Sequence, residues 1–540
     1  MDESFDYVVI GSGFGGSVAA MRLVEKGYRV LVLERGKRFH DHDFARTNWN
    51  LRRFLWAPFL RCFGILQITP LRDVVVLHGS GVGGGSLGYA GVLEQPDERL
   101  FAAPAWRHLN DWKSALSPHY ETAKRMLGVA ENPRSTPADE TLREIARDLG
   151  TETTFRPTRV GILFGADGEE GREVGDPFFG GEGPPRRTCS FCGGCMVGCR
   201  ENAKNTLVKN YLYFAERGGA EIRAEAQVRD VRPLSINEDG ARYEVVYRSS
   251  TNIFARERRV RARNVVFSAG TLGTLSLLFR CRDVTRSLPS ISPRLGEMVR
   301  TNNEALVGGV SRKAEPDHSK GVAISSLFMA DPVTAVEPVR YPAGSSFTRL
   351  LAAPLVEGES LPGRIVRASL NIIRHPLDLL RTHILPGWAE RSIILLVMQT
   401  EDERISLSHG RSLFTLFRRG LVSRAQKEID RQPQTGVAHR IARSWAGKTG
   451  SIPLASVNET FLGIPMTAHI LGGCPFGRTG EEGVIDLSCQ IHGYPGLFVV
   501  DGSIMPANPG VNPSLTIAAL AEYAMEQVPH RSNQPFTHTT

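Results

Sequence analysis

Residues 6–36 read DYVVIGSGFGGSVAAMRLVEKGYRVLVLERG, and they constrain the fold more than any other stretch of the chain. The runs DYVVI and RVLVLERG are short and apolar, which predicts two buried parallel strands. Between them, residues 17–26 have helical spacing, and Gly27 is a helix stop signal. A strand, a helix and a second strand within about thirty residues predict a βαβ unit of the Rossmann type.

The glycines after the first strand fit the pattern G-x-G-x-x-G. Gly11 permits a tight turn, Gly13 lets the backbone approach a pyrophosphate, and Gly16 permits close packing of helix on strand. The N-terminus of the helix then faces the phosphates. Glu34 ends the second strand, at the distance where a carboxylate accepts a hydrogen bond from a ribose hydroxyl. Together these residues predict a dinucleotide-binding domain.

Two distant segments favour FAD over NAD as the dinucleotide. HGSGVGGGSLGYAGVL, residues 78–93, is a second glycine loop whose backbone amides can surround a phosphate or a flavin. VVDGS, residues 499–503, offers Asp501 to a ribityl chain. An NAD domain has no need of these additional loops, so we expect FAD.

Length and charge narrow the class of partner. The chain has 540 residues, too many for one small core, and a formal net charge of +8. It contains no long Lys/Arg block and no nucleic-acid motif, so we expect no nucleic-acid partner. The basic residues indicate a mild attraction to anionic lipid, a basic substrate channel, or a scattered solvated surface.

The sequence also bears on compartment and membrane contact. MDESFDYVVIGSGFGG runs from an acidic start into a strand, unlike a signal peptide, and no apolar run reaches the ~18 residues of a membrane span. We therefore expect a cytoplasmic protein with reduced thiols, peripheral to the membrane at most. Residues 54–68, FLWAPFLRCFGILQI, come closest to a span and are a lid, a membrane-surface contact or a buried core segment.

The rest of the chain alternates helical, looped and strand-like segments. Residues 100–150 are mainly helical in pattern, and the glycine- and proline-rich residues 155–187 predict loops. EIRAEAQVRDVRPL, ARYEVVYRS and RVRARNVVFSAG alternate apolar and polar residues, which predicts a small antiparallel sheet that returns to the main one. Short strands recur from about residue 310 to 460, and PGLFVVDGS predicts another buried strand. The polar end, HRSNQPFTHTT, predicts a frayed tail.

Five stretches in order along the chain resemble the glucose–methanol–choline (GMC) oxidoreductase family, most closely its bacterial cholesterol oxidase branch. They are VVIGSGFGGSVAAMRL…VLVLERG, HGSGVGGGSLGYAG, VVFSAGTLGT, TAHILGGCPFG and LFVVDGSIMPANPGVNPSLTIAALAE. The resemblance implies an α/β fold with a discontinuous Rossmann-like FAD-binding domain of residues 1–130, 188–310 and 461–540. It also implies an α+β substrate domain of residues 131–187 and 311–460, built on a mostly antiparallel sheet.

The resemblance further implies a set of residues around FAD. They are Gly11, Gly13, Gly16, Glu34, Gly83, Gly84, Ser86, Val228, Ala269, Gly270, Asp501 and Asn512. Tyr89 departs from the family, since many members have an asparagine at about this point of the second glycine loop. The contacts to the flavin at that point are therefore left open.

Alcohol oxidation by a flavin needs a base for the hydroxyl proton while the carbinol hydride goes to N5. A histidine, with an ordinary pKa of about 6.5, suits this role. His469 in TAHILGG matches the catalytic histidine of the family, and Asn512 in PGVNPSLT matches the residue that pairs with it. From the residues alone, a structural histidine and a turn asparagine before Pro513 are the alternatives.

Cholesterol oxidases also move a double bond, which needs a carboxylate base over the steroid ring. The segment AVEPVRYPAGS, residues 335–345, resembles the region with that base and points to Glu337. Burial would raise the pKa of this carboxylate and suit it to shuttle a proton. A surface or structural glutamate is the alternative, and Glu304 and Glu401 are further pocket candidates. The apolar strands of the middle region favour a bulky, lipid-like alcohol over a sugar.

The run CSFCGGCMVGC, residues 189–199, contains four of the eight cysteines. Cys189, Cys192, Cys195 and Cys199 follow the ferredoxin spacing C-x2-C-x2-C-x3-C, although Arg200 replaces the usual proline. Some flavin dehydrogenases of this superfamily hold an iron–sulfur cluster in such a loop. An iron–sulfur cluster, a zinc ion and reduced structural thiols all remain open.

Three functions follow. The first is FAD-dependent oxidation of a 3β-hydroxysteroid to the ketone, with oxygen or another electron acceptor and with or without Δ5 to Δ4 isomerisation. The second is a GMC dehydrogenase of another bulky or long-chain alcohol that passes electrons through an iron–sulfur cluster. The third is a non-catalytic redox- or metal-sensing flavoprotein, which the pair His469 and Asn512 disfavours. The oligomeric state is left open.

Overall fold

The predicted βαβ unit lies within a mixed seven-stranded sheet in the computed structural model, which describes residues 3–235, 240–356, 361–401, 403–425 and 432–531. Strand Ser4–Ile10 pairs in parallel with Val30–Leu33, and helix Phe14–Glu25 joins them. Six of the seven residues of Ser4–Ile10 are buried. This burial on both faces explains why the strand is a continuous apolar run.

The first sheet gathers strands from the beginning, middle and end of the chain. In order across the sheet they are Glu221–Arg223, Val30–Leu33, Ser4–Ile10, Arg258–Phe267, Tyr243–Ser249 and Ala226–Pro233, with Leu497–Val499 also paired to Arg258–Phe267. The predicted antiparallel pairing is confirmed for Tyr243–Ser249, which runs antiparallel to both of its neighbours. It is wrong for Glu221–Arg223, which pairs in parallel with Val30–Leu33. Strand Arg258–Phe267 joins the antiparallel strands to the parallel part of the sheet.

A second seven-stranded sheet is antiparallel throughout. In order it consists of Ala352–Pro354, Ser451–Ser456, Ala305–Ser311, Ser392–Gln399, Thr334–Val339, Ser326–Asp331 and Arg156–Pro157. Strand Ala305–Ser311 belongs to this sheet, so the predicted domain boundary at residue 310 runs through one of its strands. Helix Gln432–Thr449 packs on the sheet and buries Trp445 against it.

Shorter strand pairs and the helices complete the described chain. Two of the shorter sheets have three strands. In one, Arg404–Gly410 lies between Val299–Arg300 and Gly420–Ala425, and in the other, Val75–Gly79 lies between Met466–Thr467 and Leu66–Pro70. The two-stranded sheets pair Glu173–Val174 with Arg186–Arg187, Trp56–Ala57 with Cys62–Phe63, and Ala130–Glu131 with Arg159–Val160. The α-helices are Phe14–Glu25, Leu51–Phe54, Glu98–Phe101, Trp112–Met126, Pro137–Asp148, Tyr211–Arg217, Gly270–Phe279, Leu361–Arg374, Pro376–His383, Trp388–Arg391, Gln432–Thr449, Val457–Leu462 and Ser514–Glu526. Of the predicted tail, residues 532–540 lie outside the described residues.

The apolar residues 54–68 form a hairpin whose stem and tip differ. Phe54 and Ile65 are buried in one apolar cluster, so the stem is a core segment. Phe59 and Leu60 at the tip are exposed. Within the described ranges, no helix is both long and apolar enough to cross a membrane.

Candidate active site

The first glycine loop is shaped by close backbone contacts. Gly11 has φ +96°, and a Cβ there would lie 2.5 Å from the carbonyl oxygen of Ser268. A Cβ on Gly16 would lie 2.0 Å from the carbonyl oxygen of Gly11. A Cβ on Gly13, in contrast, would meet no atom within 4 Å. Gly11 and Gly16 are therefore required by the fold, while Gly13 leaves open space beside the helix N-terminus.

That open space belongs to a cavity of about 670 Å³. Of the predicted cofactor residues, those on its wall are Gly11, Gly13, Glu34, Gly84, Val228, Ala269, Gly270, Asp501 and Asn512. They come from segments at the beginning, middle and end of the chain, and the strands of the first sheet bring them together. The cavity has the size of a site for a cofactor or other small molecule.

Glu34 links the two glycine loops on one side of this cavity. One carboxylate oxygen accepts hydrogen bonds from Ser12 N and Oγ at 3.1 and 2.8 Å. The other oxygen accepts from Gly36 N at 2.8 Å and from Gly81 N at 3.3 Å. The carboxylate is thus held at the end of its strand, where the sequence predicts a ribose contact.

The second glycine loop touches the first directly. A Cβ on Gly84 would lie 2.6 Å from the Cα of Gly13, so the two backbones are in contact. Gly83 and Ser86 lie behind this wall, and Ser86 Oγ donates to the Gly83 carbonyl at 2.6 Å. Tyr89 faces the cavity and donates from its hydroxyl to the Asn205 carbonyl at 2.9 Å. At this point of the loop, a tyrosine ring therefore forms part of the wall.

Asp501 lies on the wall of the cavity and is held by three hydrogen bonds. One carboxylate oxygen accepts from Ser503 N at 2.8 Å and from Ser503 Oγ at 2.6 Å, and the other accepts from Thr274 Oγ1. Burial raises the pKa of Asp501 above its ordinary value. Gly270, at the start of helix Gly270–Phe279, has φ +73° and lies on the same wall.

His469 faces the cavity and is held by residues that lie far from it in sequence. Its Nδ1 contacts the carboxylate of Glu304, whose second oxygen accepts from Ala468 N at 2.9 Å. Asn302 Nδ2 lies 3.3 Å from the same Nδ1 and donates to the Val511 carbonyl at 2.9 Å. An ionised carboxylate only accepts hydrogen bonds, so Nδ1 bears the proton and Nε2 keeps its lone pair.

Asn512 lies on the cavity wall, and Glu337 is fully buried away from that wall. Burial, with repulsion from Glu94, raises the pKa of Glu337 to about 8, and the nearby Asn512 amide opposes this rise. In the described part of the chain, neither oxygen of Glu337 has a hydrogen-bond partner of good geometry. The structure therefore places Glu337 beside Asn512 as an unpaired buried carboxyl group. Glu401 is exposed and does not line the cavity.

The part of the cavity formed by the second sheet is apolar. Side chains there include Leu306, Ile324, Val339, Ile394 and Leu396, and Ile65 of the hairpin 54–68 lines the same cavity. Tyr341 and Met196 add two larger side chains to the wall. This half of the cavity offers apolar surface near His469 rather than rows of polar groups, as expected for a lipid-like alcohol.

The four clustered cysteines line a separate, small cavity. Burial raises the pKa of Cys195 to about 11 and that of Cys189 further. Phe191 N donates to Cys189 Sγ at 3.3 Å. In the ranges that the structure describes, no three His, Cys, Asp or Glu side chains are close enough together to hold a metal ion.

A buried lysine connects the cysteine loop to the second glycine loop. Lys204 Nζ donates to the carbonyls of Leu87, Tyr89 and Cys195 at 2.9, 3.1 and 2.6 Å. Burial lowers the pKa of Lys204 to about 8. The two loops therefore share one cation, a contact that no sequence motif marks.

Comparisons with known proteins agree with this geometry. GMC oxidoreductase models match residues 185–281 and 419–521, and an NAD(P)-binding Rossmann-like model matches residues 9–40. A cholesterol oxidase from Acinetobacter baumannii is 43% identical over 99% of this chain and 97% of that protein. One from Mycobacterium tuberculosis is 44% identical over 98% of this chain and 92% of that protein. The chain belongs to the GMC oxidoreductase family.

Two further relatives of this GMC oxidoreductase are more distant. A long-chain-alcohol oxidase from Arabidopsis thaliana is 25% identical over 96% of this chain and 66% of that protein. The solved pyridoxine 4-oxidase from Mesorbium loti has a TM-score of 0.63 at 17% identity, covers 98% of this chain and 100% of that chain, and shows a shared fold. The predicted α/β fold and FAD-dependent alcohol oxidoreductase class are confirmed. Gly13, Gly84 and Asp501 fit the cofactor, since all three line the same cavity and the side of Gly13 where a Cβ would stand is open space.

Proposed function

We propose that this GMC oxidoreductase oxidises the 3β-hydroxyl group of a cholesterol-like sterol to the ketone, with oxygen as the electron acceptor. The observation that carries the proposal is His469, which lies on the wall of a cavity whose nearby half is apolar. The similarity to two cholesterol oxidases over almost the whole chain supports a sterol substrate.

The protein residues supply the proton transfer and the orientation of the alcohol. The two glycine loops and Asp501 would hold FAD, which would supply the acceptor for the carbinol hydride. His469 Nε2 takes the hydroxyl proton, because Glu304 fixes the other ring nitrogen as the protonated one. Asn512 lies on the same wall, where its amide orients the substrate oxygen. The apolar wall excludes water from the reacting carbon.

A second step, the move of the double bond from Δ5 to Δ4, would use Glu337. In its ionised form Glu337 would take a ring proton from the carbon between the ketone and the double bond, and its raised pKa of about 8 would let it hold that proton and return it to the far carbon of the former double bond. Since Glu337 lies behind the cavity wall beside Asn512, its access to the steroid requires a side-chain rotation toward the cavity. We include isomerisation as the finer part of the proposal.

The main experiment is anaerobic mixing of the oxidised holoenzyme with cholesterol or with a panel of long-chain and terpenoid alcohols. We expect the flavin absorbance to bleach fastest with cholesterol, and readmitted oxygen to restore it. Bleaching only by a long-chain alcohol would overturn the sterol assignment. If an artificial acceptor restores the flavin absorbance but oxygen does not, the oxidase assignment is wrong.

A dehydrogenase with an iron–sulfur cluster is the second candidate, and the four cysteines around one cavity favour it. Met196, which lies between Cys195 and Cys199 in sequence, reaches the main cavity, so the cysteine loop adjoins the substrate region. The thiols as placed do not form a metal-binding group within the described residues, so this candidate stands second. Iron and sulfide analysis of anaerobically purified protein distinguishes it, with Cys192→Ser and Cys199→Ser as comparison variants. Metal-free protein with full turnover would rule it out.

A further inference from the structure

Two consecutive helices, Leu361–Arg374 and Pro376–His383, expose apolar side chains to solvent. Val366, Leu370, Ile373 and Leu377 follow the spacing of one helix face, and Ile373 and Leu377 are 73% and 61% exposed. A helix on the surface of a globular protein normally buries such a face. A contiguous apolar surface of this kind indicates a binding surface.

The inner side of the two helices packs against the rest of the protein, so the exposed apolar face is separate from the face that the fold buries. Ala368 and Thr382 are buried. The first helix contacts helix Val457–Leu462 and strand Ala352–Pro354. The outer apolar face therefore remains available for a partner outside the described chain.

The same helices are basic. Residues 361–384 contain four arginines and one aspartate, a net charge of +3 with the histidines neutral. The single carboxylate, Asp378, is bound by Arg312 at 2.8 Å and by Arg381 at 3.2 Å. Long arginine side chains can place an apolar stem beside lipid tails and a charged end among headgroups. Apolar side chains among arginines are the composition of an amphipathic segment that lies in a lipid interface.

The helices that bear the exposed face are connected to the apolar half of the active-site cavity through one intervening segment. The short 3-10 helix Phe347–Leu351 contacts helix Pro376–His383, and Arg349 donates to the Leu385 carbonyl at 3.4 Å. Phe347 packs in the same apolar cluster as Ile65 and Tyr341, which line the cavity. One small cluster thus separates the exposed helices from the cavity.

We propose that the outer face of residues 361–384 docks on an anionic lipid bilayer and brings the cavity to a membrane-resident alcohol. The delivery of a membrane-resident alcohol to the cavity rests on the proposed function. The docking on lipid rests instead on the exposed apolar face and the positive charge of these helices. A second copy of the chain is a less suitable occupant, because a two-fold interface would bring the arginines of both copies together. The headgroups of anionic lipid complement them instead.

The test is sedimentation of the FAD-loaded protein with vesicles of phosphatidylcholine alone or mixed with phosphatidylglycerol. We expect about 100-fold stronger partitioning onto the anionic vesicles, as three net charges near the surface provide. Ile373→Glu with Leu377→Glu should lower this partitioning at least about tenfold, since it adds two negative charges and removes two apolar anchors. The matched control is Ile253→Glu with Phe254→Glu, an apolar pair 84% and 88% exposed in the loop after strand Tyr243–Ser249.

Flavin absorbance and melting temperature check that both double variants are folded. The proposal is overturned if the helix variant binds vesicles as strongly as the unchanged protein does. It is also overturned if the control variant loses as much vesicle binding as the helix variant does. Concentration-dependent dimerisation that the helix variant abolishes, without vesicle binding by the unchanged protein, also overturns it in favour of a second copy. Vesicle binding requires no turnover, so failure to oxidise cholesterol would refute the proposed function and leave this result intact.

Discussion

Glu304 contacts Nδ1 of His469, and the rest of the Glu304 carboxylate is fixed by the backbone of Ala468. The carboxylate is buried and immediately precedes strand Ala305–Ser311 of the second sheet, whereas His469 follows the strand Met466–Thr467. The histidine is therefore oriented across the junction of two sheets. The geometry assigns Glu304 as a positioning residue for the base.

Replacing Glu304 by glutamine tests this role. Glutamine keeps the shape but removes the charge that stabilises the imidazolium formed when His469 takes a proton, so kcat should fall about 100-fold. KM should change little, because Glu304 acts through His469 and not on the substrate. Steady-state kinetics would measure kcat and KM, with the exposed Glu401→Gln as the matched control. An unchanged kcat would contradict the assignment.

His469→Gln tests the base itself. Glutamine cannot accept the hydroxyl proton, so anaerobic single-turnover reduction of the flavin should slow by on the order of 10²- to 10⁴-fold. Flavin content should not change, because the residues proposed to hold the cofactor are the two glycine loops and Asp501, not this side chain. Stopped-flow absorbance with cholesterol provides the rate. Reduction at the original rate would remove His469 from the mechanism.

The first glycine loop offers a pair of substitutions that separates folding from cofactor binding. Gly11→Ala places a Cβ against the Ser268 carbonyl at positive φ, so we expect misfolded or strongly destabilised protein. Gly13→Ala meets no protein atom and should fold, but its methyl group enters the space left for the pyrophosphate. Thermal melting and bound-flavin absorbance would measure the two effects. Full flavin content in folded Gly13→Ala would show that the cofactor phosphates lie elsewhere.

Glu337 should make the stability of the protein depend on pH in a defined window. Its pKa is about 8 when folded and 4.5 ordinarily, so between these values the unfolded chain releases a proton that the folded chain retains. The contribution of Glu337 to the free energy of unfolding therefore falls from pH 4.5 to pH 8. Glu337→Gln removes this loss and should raise Tm by a few degrees, roughly 2–6 °C, at pH 8 with little change near pH 4.5. Equal melting curves of variant and unchanged protein at pH 8 would argue against an unpaired buried carboxyl group.

The same substitution tests isomerisation separately. Glu337→Gln should still form the ketone but leave the double bond at Δ5, which product analysis by ultraviolet absorbance would detect. In the unchanged protein, double-bond transfer should accelerate as the pH rises through about 8, because the base must be ionised to take the ring proton. Normal yields of the conjugated product from Glu337→Gln would assign the step to another group.

The sequence predicts those parts of the molecule that depend on local constraints. Gly11 and Gly16 each meet backbone at a distance that only glycine allows, so their spacing alone identifies the βαβ unit. Strand Leu497–Val499 was predictable for a similar reason, since its run of apolar residues is buried from both sides. Such constraints are contained within a few consecutive residues.

Contacts between distant residues were not predictable in this way. Glu304 and His469 are 165 positions apart, and no spacing rule connects them. The triple hydrogen bond of Lys204 has the same character, because its acceptors belong to two other loops. The hairpin of residues 54–68 shows another reason, since its stem and its tip are both mostly apolar while only the stem is buried.

The arrangement of the first sheet has a consequence for how the enzyme is made. Strand Leu497–Val499 pairs beside Arg258–Phe267, and Asp501 and Asn512 follow it immediately in the chain. During synthesis the glycine loops emerge first, whereas strand Leu497–Val499, Asp501 and Asn512 are translated only after every other strand of the first sheet. A nascent chain halted before residue 497 thus lacks part of the cavity wall. The complete cavity can form only once this strand has been translated, and truncations that remove it should yield flavin-free protein.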